Sequence, residues 1–226
     1  MIPLSLAGIG TLVVIAAHAD DVEIGAGGFL LQLPTGVRVH YVLCTGSPLR
    51  QAEAQAAAKA FLPDADVTFD FHDLPDGYLP AHWTAVKDLI GAAARTLQAD
   101  VVLSPSRTDL HQDHRLIAEL APTAFRDSLI LQYEIPKWDG DRGRGRVYLP
   151  LPEPLARRKV ELLTECFPSQ VGRDWWDDEL FLGVARQRGM ECRSRYAEAF
   201  EVDKLIISTQ SGTGPGREED LTLGHT

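Results

Sequence analysis

The chain has little of what disulfide-stapled or nucleic-acid-binding proteins depend on. Only three of its 226 residues are cysteine, Cys44, Cys166 and Cys192, an odd number without C-x-x-C spacing. That leaves no basis for a disulfide framework or a thiolate zinc site, and it suits a reducing, cytoplasmic setting. Basic charge is also short. Lys and Arg number 22 against 32 Asp and Glu, a net charge of −10, which argues against a general role on nucleic acid. The acidic residues are spread along the chain and read as solubility. Residues 2–16 are apolar, but Gly8 and Gly10 interrupt them and no basic segment precedes them, so neither a signal peptide nor a membrane span is expected. No internal repeat is found.

What is present is enough apolar content, 45%, for one compact domain with a sizeable core. Thr11–Ala17 reads as a buried parallel strand and Glu23–Leu33 as the helix after it. Strands are expected over Val37–Cys44, Val67–Phe71, Asp100–Ser104 and Leu129–Tyr133, with helices over Gln51–Phe61, Thr84–Leu97 and Leu116–Arg126 between them. This alternation predicts a Rossmann-like α/β fold, a mostly parallel sheet with helices on both faces, as a single domain. A glycine- and charge-rich loop over Pro136–Arg146 precedes helices at Pro154–Phe167 and Asp174–Gln187 and a strand-like return at Tyr196–Val202. The domain is expected to span 1–207, followed by a flexible tail over 208–226 that is too poor in apolar residues to pack.

The run L-V-V-I-A-A-H-A-D-D-V-E-I-G-A-G-G, Leu12 to Gly28, delivers His18, Asp20 and Asp21 at the carboxyl end of the first strand, where open α/β sheets place their ligands. H-Q-D-H, His111 to His114, could supply a further ligand. A catalytic zinc takes three His or carboxylate ligands and keeps a position for water. Of two adjacent carboxylates, one can bind the ion while the other faces that water as a base. The bland alternative is that the Asp pair only caps the helix. Gly25, Gly27 and Gly28 do not complete a dinucleotide fingerprint, because Leu30 stands where the third glycine is needed; close helix–sheet packing explains them.

The segment A-H-A-D-D-V-E-I-G-A-G-G resembles the A-H-P-D-D-x-x-x-G-x-G-G signature of the PIG-L/LmbE-like deacetylases, and H-Q-D-H resembles their H-x-D-H. Weaker echoes are Arg50 and Glu53 in R-Q-A-E, Asp76 in D-G-Y-L, Ser169-Gln170, and Y-A-E-A-F from Tyr196. The resemblance implies His18, Asp21 and His114 as ligands of zinc or another divalent transition metal. It implies Asp20 as general base, His111 as oxyanion stabiliser and Asp113 as the carboxylate orienting His111. Arg50 and Asp76 match sugar contacts, and Trp138 is a candidate for the substrate rim. One position departs from the pattern: Ala19 stands where the signature has proline.

The expected activity is removal of an N-acetyl group from a small-molecule amino sugar or its conjugate. The alternatives are an amidase acting on a thiol conjugate or other acylated amine, and a non-catalytic metal-binding partner domain. A homo-oligomer is compatible with the sequence.

Overall fold

The computed structural model describes residues 3–6 and 8–207. Strand β1 (Thr11–Ala16) leads into helix α1 (Asp21–Leu30), then β2 (Arg38–Thr45), α2 (Pro48–Phe61) and β3 (Asp66–Leu74). A single 3-10 turn at Leu79–His82 precedes α3 (Trp83–Thr96), β4 (Val101–Pro105), α4 (Gln112–Ala124) and β5 (Leu129–Tyr133). The chain closes with β6 (Val147–Leu151), α5 (Glu153–Cys166), α6 (Asp178–Cys192) and β7 (Tyr196–Glu201). The expected tail over 208–226 lies outside the described residues.

The strands form a seven-stranded sheet in the order β3-β2-β1-β4-β5-β7-β6. The first five pair in parallel, and β7 runs antiparallel to both β5 and β6. Every residue of β1 is buried, and its alternation serves two cores. Leu12 and Val14 pack with Phe29, Phe61, Leu163 and Phe181, whereas Val13 and Ile15 pack with Val86, Ile90, Ile117 and Leu120. Helices therefore cover both faces, as a continuous apolar strand requires. The chain moves outward from β1 through β2 to β3, then returns to the other side of β1 for β4. The junction between β1 and β4 is thus the topological switch point, where the crevice of such a sheet opens.

Local chemistry sets the element ends. Helix α2 begins ahead of its alanine run because Pro48 fits the first turn and Ser47 Oγ accepts from Arg50 N–H. Helix α6 starts at Asp178 rather than Asp174, because Asp177 caps it by accepting from Glu179 N–H and Leu180 N–H. Strand β6 is not anticipated by the sequence pattern. It contains Pro150, which the sheet tolerates because β6 is an edge strand.

Helix α1 is kinked at Ala26, whose φ of −139° and ψ of 18° are not helical. Gly28 N–H, whose regular acceptor would be the Ile24 carbonyl, donates to Glu198 Oε1 at 2.6 Å. Phe29 N–H donates to Glu198 Oε2 at 2.7 Å. The Ile24 carbonyl receives Lys159 Nζ at 2.7 Å, and the same ammonium lies 2.7 Å from Glu198 Oε1. A buried Glu198–Lys159 pair thus bridges the two groups that an unbroken helix would join directly. The glycines make room for this approach. A Cβ on Gly28 would come within 2.6 Å of Leu151, and one on Gly25 within 2.5 Å of the Tyr133 ring. Removing one partner of a buried ion pair strands the other charge. Glu198→Gln and Lys159→Met are each expected to lower unfolding free energy by roughly 3–5 kcal/mol in urea titrations, and the double variant by clearly less than their sum. Small, additive losses would contradict this origin of the kink.

Candidate active site

The cleft of about 620 Å³ at the switch point is lined by residues from six connecting segments and the element ends beside them, among them His18, Asp20, Asp21, Arg50, Asp76, His111, His114 and Trp138. His18 lies just past β1, and Asp21 opens α1. His111 immediately precedes α4, and His114 sits in that helix's first turn. The turn between the two signature ends is closed by backbone contacts: His18 N–H donates to Asp21 Oδ2 at 2.8 Å, and Asp21 N–H to the His18 carbonyl at 3.4 Å. Ala19 is buried against Ala16, Leu43 and Ala54, so this turn forms without the ring of a proline.

Two imidazoles face each other across this turn. His18 Nδ1 lies 3.0 Å from His114 Nε2, with Asp21 Oδ2 3.5 Å from the first and Asp21 Oδ1 3.3 Å from the second. A tetrahedral ion with bonds of about 2.1 Å separates its ligand atoms by about 3.4 Å. The outer nitrogens both meet carboxylates. His18 Nε2 lies 3.0 Å from Asp76 Oδ1 and 3.4 Å from Asp113 Oδ2, and His114 Nδ1 lies 2.9 Å from Asp109 Oδ2. Protons held on the outer nitrogens leave the inner lone pairs converging on one point, the arrangement that carboxylate–histidine pairs give to metal ligands. The donor set therefore fits a divalent metal. Among the described residues, His18, His111 and His114 also bring ligating atoms within 4.8 Å of one another, as do His18, Asp76, His111 and Asp113.

These contacts set the protonation of the metal-free cluster. Burial alone would lower both histidines, but Asp21 and the outer carboxylates outweigh it, so His18 is raised well above 6.5 and His114 to about 9. Asp21 is buried too, yet the His114 and His18 charges hold it well below the usual carboxylate range.

Asp20 does not cap α1 with its side chain. Its Oδ2 lies 2.8 Å from Arg50 Nη2. Burial raises the Asp20 carboxyl, and Arg50 restrains the rise. Arg50 also reaches Glu53 Oε2 at 2.6 Å and Ser169 Oγ at 3.1 Å, and its guanidinium lies over the Phe167 ring at 5.5 Å. The arginine expected to meet sugar thus pairs with the neighbouring Asp20 carboxylate while it also lines the cleft.

Asp113 differs from its expected place. Its carboxylate accepts from Gly77 N–H at 2.7 Å and Leu79 N–H at 3.0 Å and faces His18, so it fastens the loop after β3 rather than orienting the His111 ring. The reason lies in the helix start: His111 caps α4 by accepting from Asp113 N–H at its Nδ1, which turns the Asp113 side chain across to that loop. With Nδ1 an acceptor, the neutral His111 ring carries its proton on Nε2. Burial, then the charges on His114 and His18, lower His111 and favour that neutral form. No motif in the sequence points to Asp109. It lies five residues before His114, holds His114 Nδ1, and is paired with Lys137 Nζ at 2.8 Å. Cys44 is buried and pushed up to about 12, which makes it inert.

The family described as PIG-L, GlcNAc-PI de-N-acetylase, matches residues 13–125. The chain belongs to the PIG-L family. No curated protein matches it by sequence. Among solved structures, N,N'-diacetylchitobiose deacetylase from Pyrococcus horikoshii is 21% identical, with 86% of this chain and 84% of that one covered and a TM-score of 0.69. The zinc-inhibited form of teicoplanin deacetylase is 15% identical over 89% of this chain and 100% of that one, at a TM-score of 0.65. A 4-carboxy-2-hydroxymuconate hydratase from Pseudomonas putida KT2440 is 19% identical over 90% and 100%, at 0.68. These likenesses share the fold, and the hydratase among them means that the reaction must be argued from the side chains. Among the described residues no helix is long and apolar enough to cross a membrane.

The raised histidines carry a consequence for metal uptake. A cation must displace the protons that the carboxylates stabilise, so zinc affinity is expected to rise with pH from about 6 toward 9, with net proton release. Calorimetry in buffers of differing ionisation enthalpy measures this. In the metal-free protein, Asp109→Asn is expected to lower the titration of His114 from about 9, read by NMR. An affinity independent of pH, or an unmoved His114, would contradict the assignment.

Proposed function

We propose that this PIG-L protein is a zinc-dependent N-deacetylase that removes the acetyl group from an N-acetylated amino sugar or its conjugate. The observation that carries the reading is the convergence of His18 Nδ1, His114 Nε2 and the Asp21 carboxylate, with a second buried carboxylate, Asp20, beside them in the same cleft. Zinc held by His18, Asp21 and His114 would supply a water activated toward neutral pH and a Lewis acid for the amide carbonyl.

The remaining work falls to the chain. Asp20, raised by burial and restrained by Arg50, accepts the proton of the attacking water. As the new C–O bond forms at the acetyl carbon, His111 donates its Nε2–H toward the oxygen that gains charge. The C–N bond then breaks, and the amine leaves with the proton returned by Asp20, giving acetate and the free amino sugar. Asp109, backed by Lys137, holds His114 in orientation, and Asp113 and Asp76 do the same for His18. Arg50 keeps the base ionised and aimed, and Asp76 and Trp138, which both line the cleft, receive the sugar.

The test separates base from ligands. Asp20→Asn is expected to retain one equivalent of zinc by elemental analysis and to lose about 10²–10⁴-fold in acetate release from N-acetylated glucosamine derivatives. His114→Ala is expected to lose the metal as well. Wild-type turnover in Asp20→Asn, or full zinc occupancy in His114→Ala, would overturn the assignment. Hydrolysis of a thiol-conjugate amide in place of every acetamido sugar would redirect the substrate.

A further inference from the structure

The cleft is built for more than the acetamido ring. Trp138, in the loop between β5 and β6, is 70% exposed at its mouth. An exposed indole is ordinarily a mobile one, but this side chain is braced from two sides. Its ring lies 6.1 Å from Trp175, which also lines the cleft, and Trp175 lies 5.3 Å from Trp176. Trp176 is buried and packs edge-on against Phe181 at 5.3 Å and Phe167 at 6.0 Å. A train of aromatic rings thus runs from the core to the rim. On the other side, the neighbouring Lys137 is tied by ion pairs of 2.8 Å to Asp109 and 2.6 Å to Asp141, which anchors the Trp138 loop to the carboxylate behind His114.

A braced aromatic wall at a cleft mouth is an apolar surface maintained against solvent. Such a wall recovers its cost when a flat ring covers it. The acetamide of the substrate must lie at His18, Asp20 and His111, and both tryptophans line the same cleft. We infer that Trp138 and Trp175 form a second subsite for an aromatic aglycone attached to the amino sugar. The enzyme therefore acts on aryl-type glycosides in preference to the free sugar. This deepens the proposed deacetylase reading and rests on it for the placement of the acetamide. Both tryptophans are specificity-determining, since they meet the aglycone and leave the reacting atoms alone.

The experiment compares methyl and 4-methylumbelliferyl N-acetyl-β-glucosaminide with the zinc-loaded protein, following acetate release. The aryl substrate is expected to have at least about tenfold higher kcat/KM, carried mainly by KM. Trp138→Ala and Trp175→Ala are each expected to collapse that aryl-to-methyl ratio severalfold, and Trp138→Phe to keep most of it. A parallel arm titrates both glycosides into zinc-loaded Asp20→Asn protein by calorimetry, with and without Trp138→Ala, so that binding is read without turnover. Equal kcat/KM for the two glycosides, or a ratio unmoved by either tryptophan, overturns the subsite and leaves the deacetylase reading standing. Absence of acetate release from both, with aryl binding still preferred and dependent on Trp138, overturns the deacetylase reading and keeps the subsite. Equal binding of both glycosides in that arm overturns the subsite as well.

Discussion

The structure depends on burying several charged groups at one end of a parallel sheet without leaving any of them alone. Ionised carboxylates and imidazolium groups lose water at a cost of several kcal/mol each unless a partner replaces it. Here the partners are arranged in series. Asp21 faces His18 and His114; Asp109 and Asp76 face the far sides of those rings; Lys137 neutralises Asp109; Arg50 neutralises Asp20. The charges sit where β1 and β4 part, so the crevice is a consequence of the strand order, and its polarity a consequence of the side chains on the loops that leave those strands.

The same requirement reaches into the helix that carries Asp21. The observed helix bends at Ala26 and hands its displaced backbone groups to Glu198 and Lys159. Two residues far from the cleft in sequence, on α5 and β7, thereby hold the shape of the signature helix. The Y-A-E-A-F segment, a faint echo in the sequence, has a physical meaning here: its glutamate serves as a cap inside another helix.

Much of the fold and of the site is legible in the sequence, and the boundary of legibility has physical causes. The buried first strand and the helices on both faces come from local pattern, because apolar runs are short-range signals, whereas the meeting of His18 with His111–His114, 96 residues apart for His114, is what the resemblance of the two signatures implies. Strand β6 escapes such a reading because Pro150 hides an edge strand whose pairing with β7 is fixed only by tertiary contact. Asp109 and Lys137 escape it because a lone carboxylate and a lone lysine carry no spacing signal until the fold sets them 2.8 Å apart. The resemblance pairs Asp113 with His111, whereas the Asp113 carboxylate accepts from Gly77 N–H and Leu79 N–H in the loop after β3. Nothing in the local sequence of Arg50 reveals that its guanidinium lies 2.8 Å from the Asp20 carboxylate.

The central claim is that one metal ion sits between the two facing imidazoles and the Asp21 carboxylate. X-ray absorption at the zinc edge of the loaded protein tests it most directly. The predicted spectrum has an all nitrogen and oxygen shell at about 2.0–2.1 Å with the multiple-scattering signature of two imidazoles, one of which disappears in His18→Ala. A sulfur shell near 2.3 Å, or a spectrum with no imidazole scattering, would contradict it.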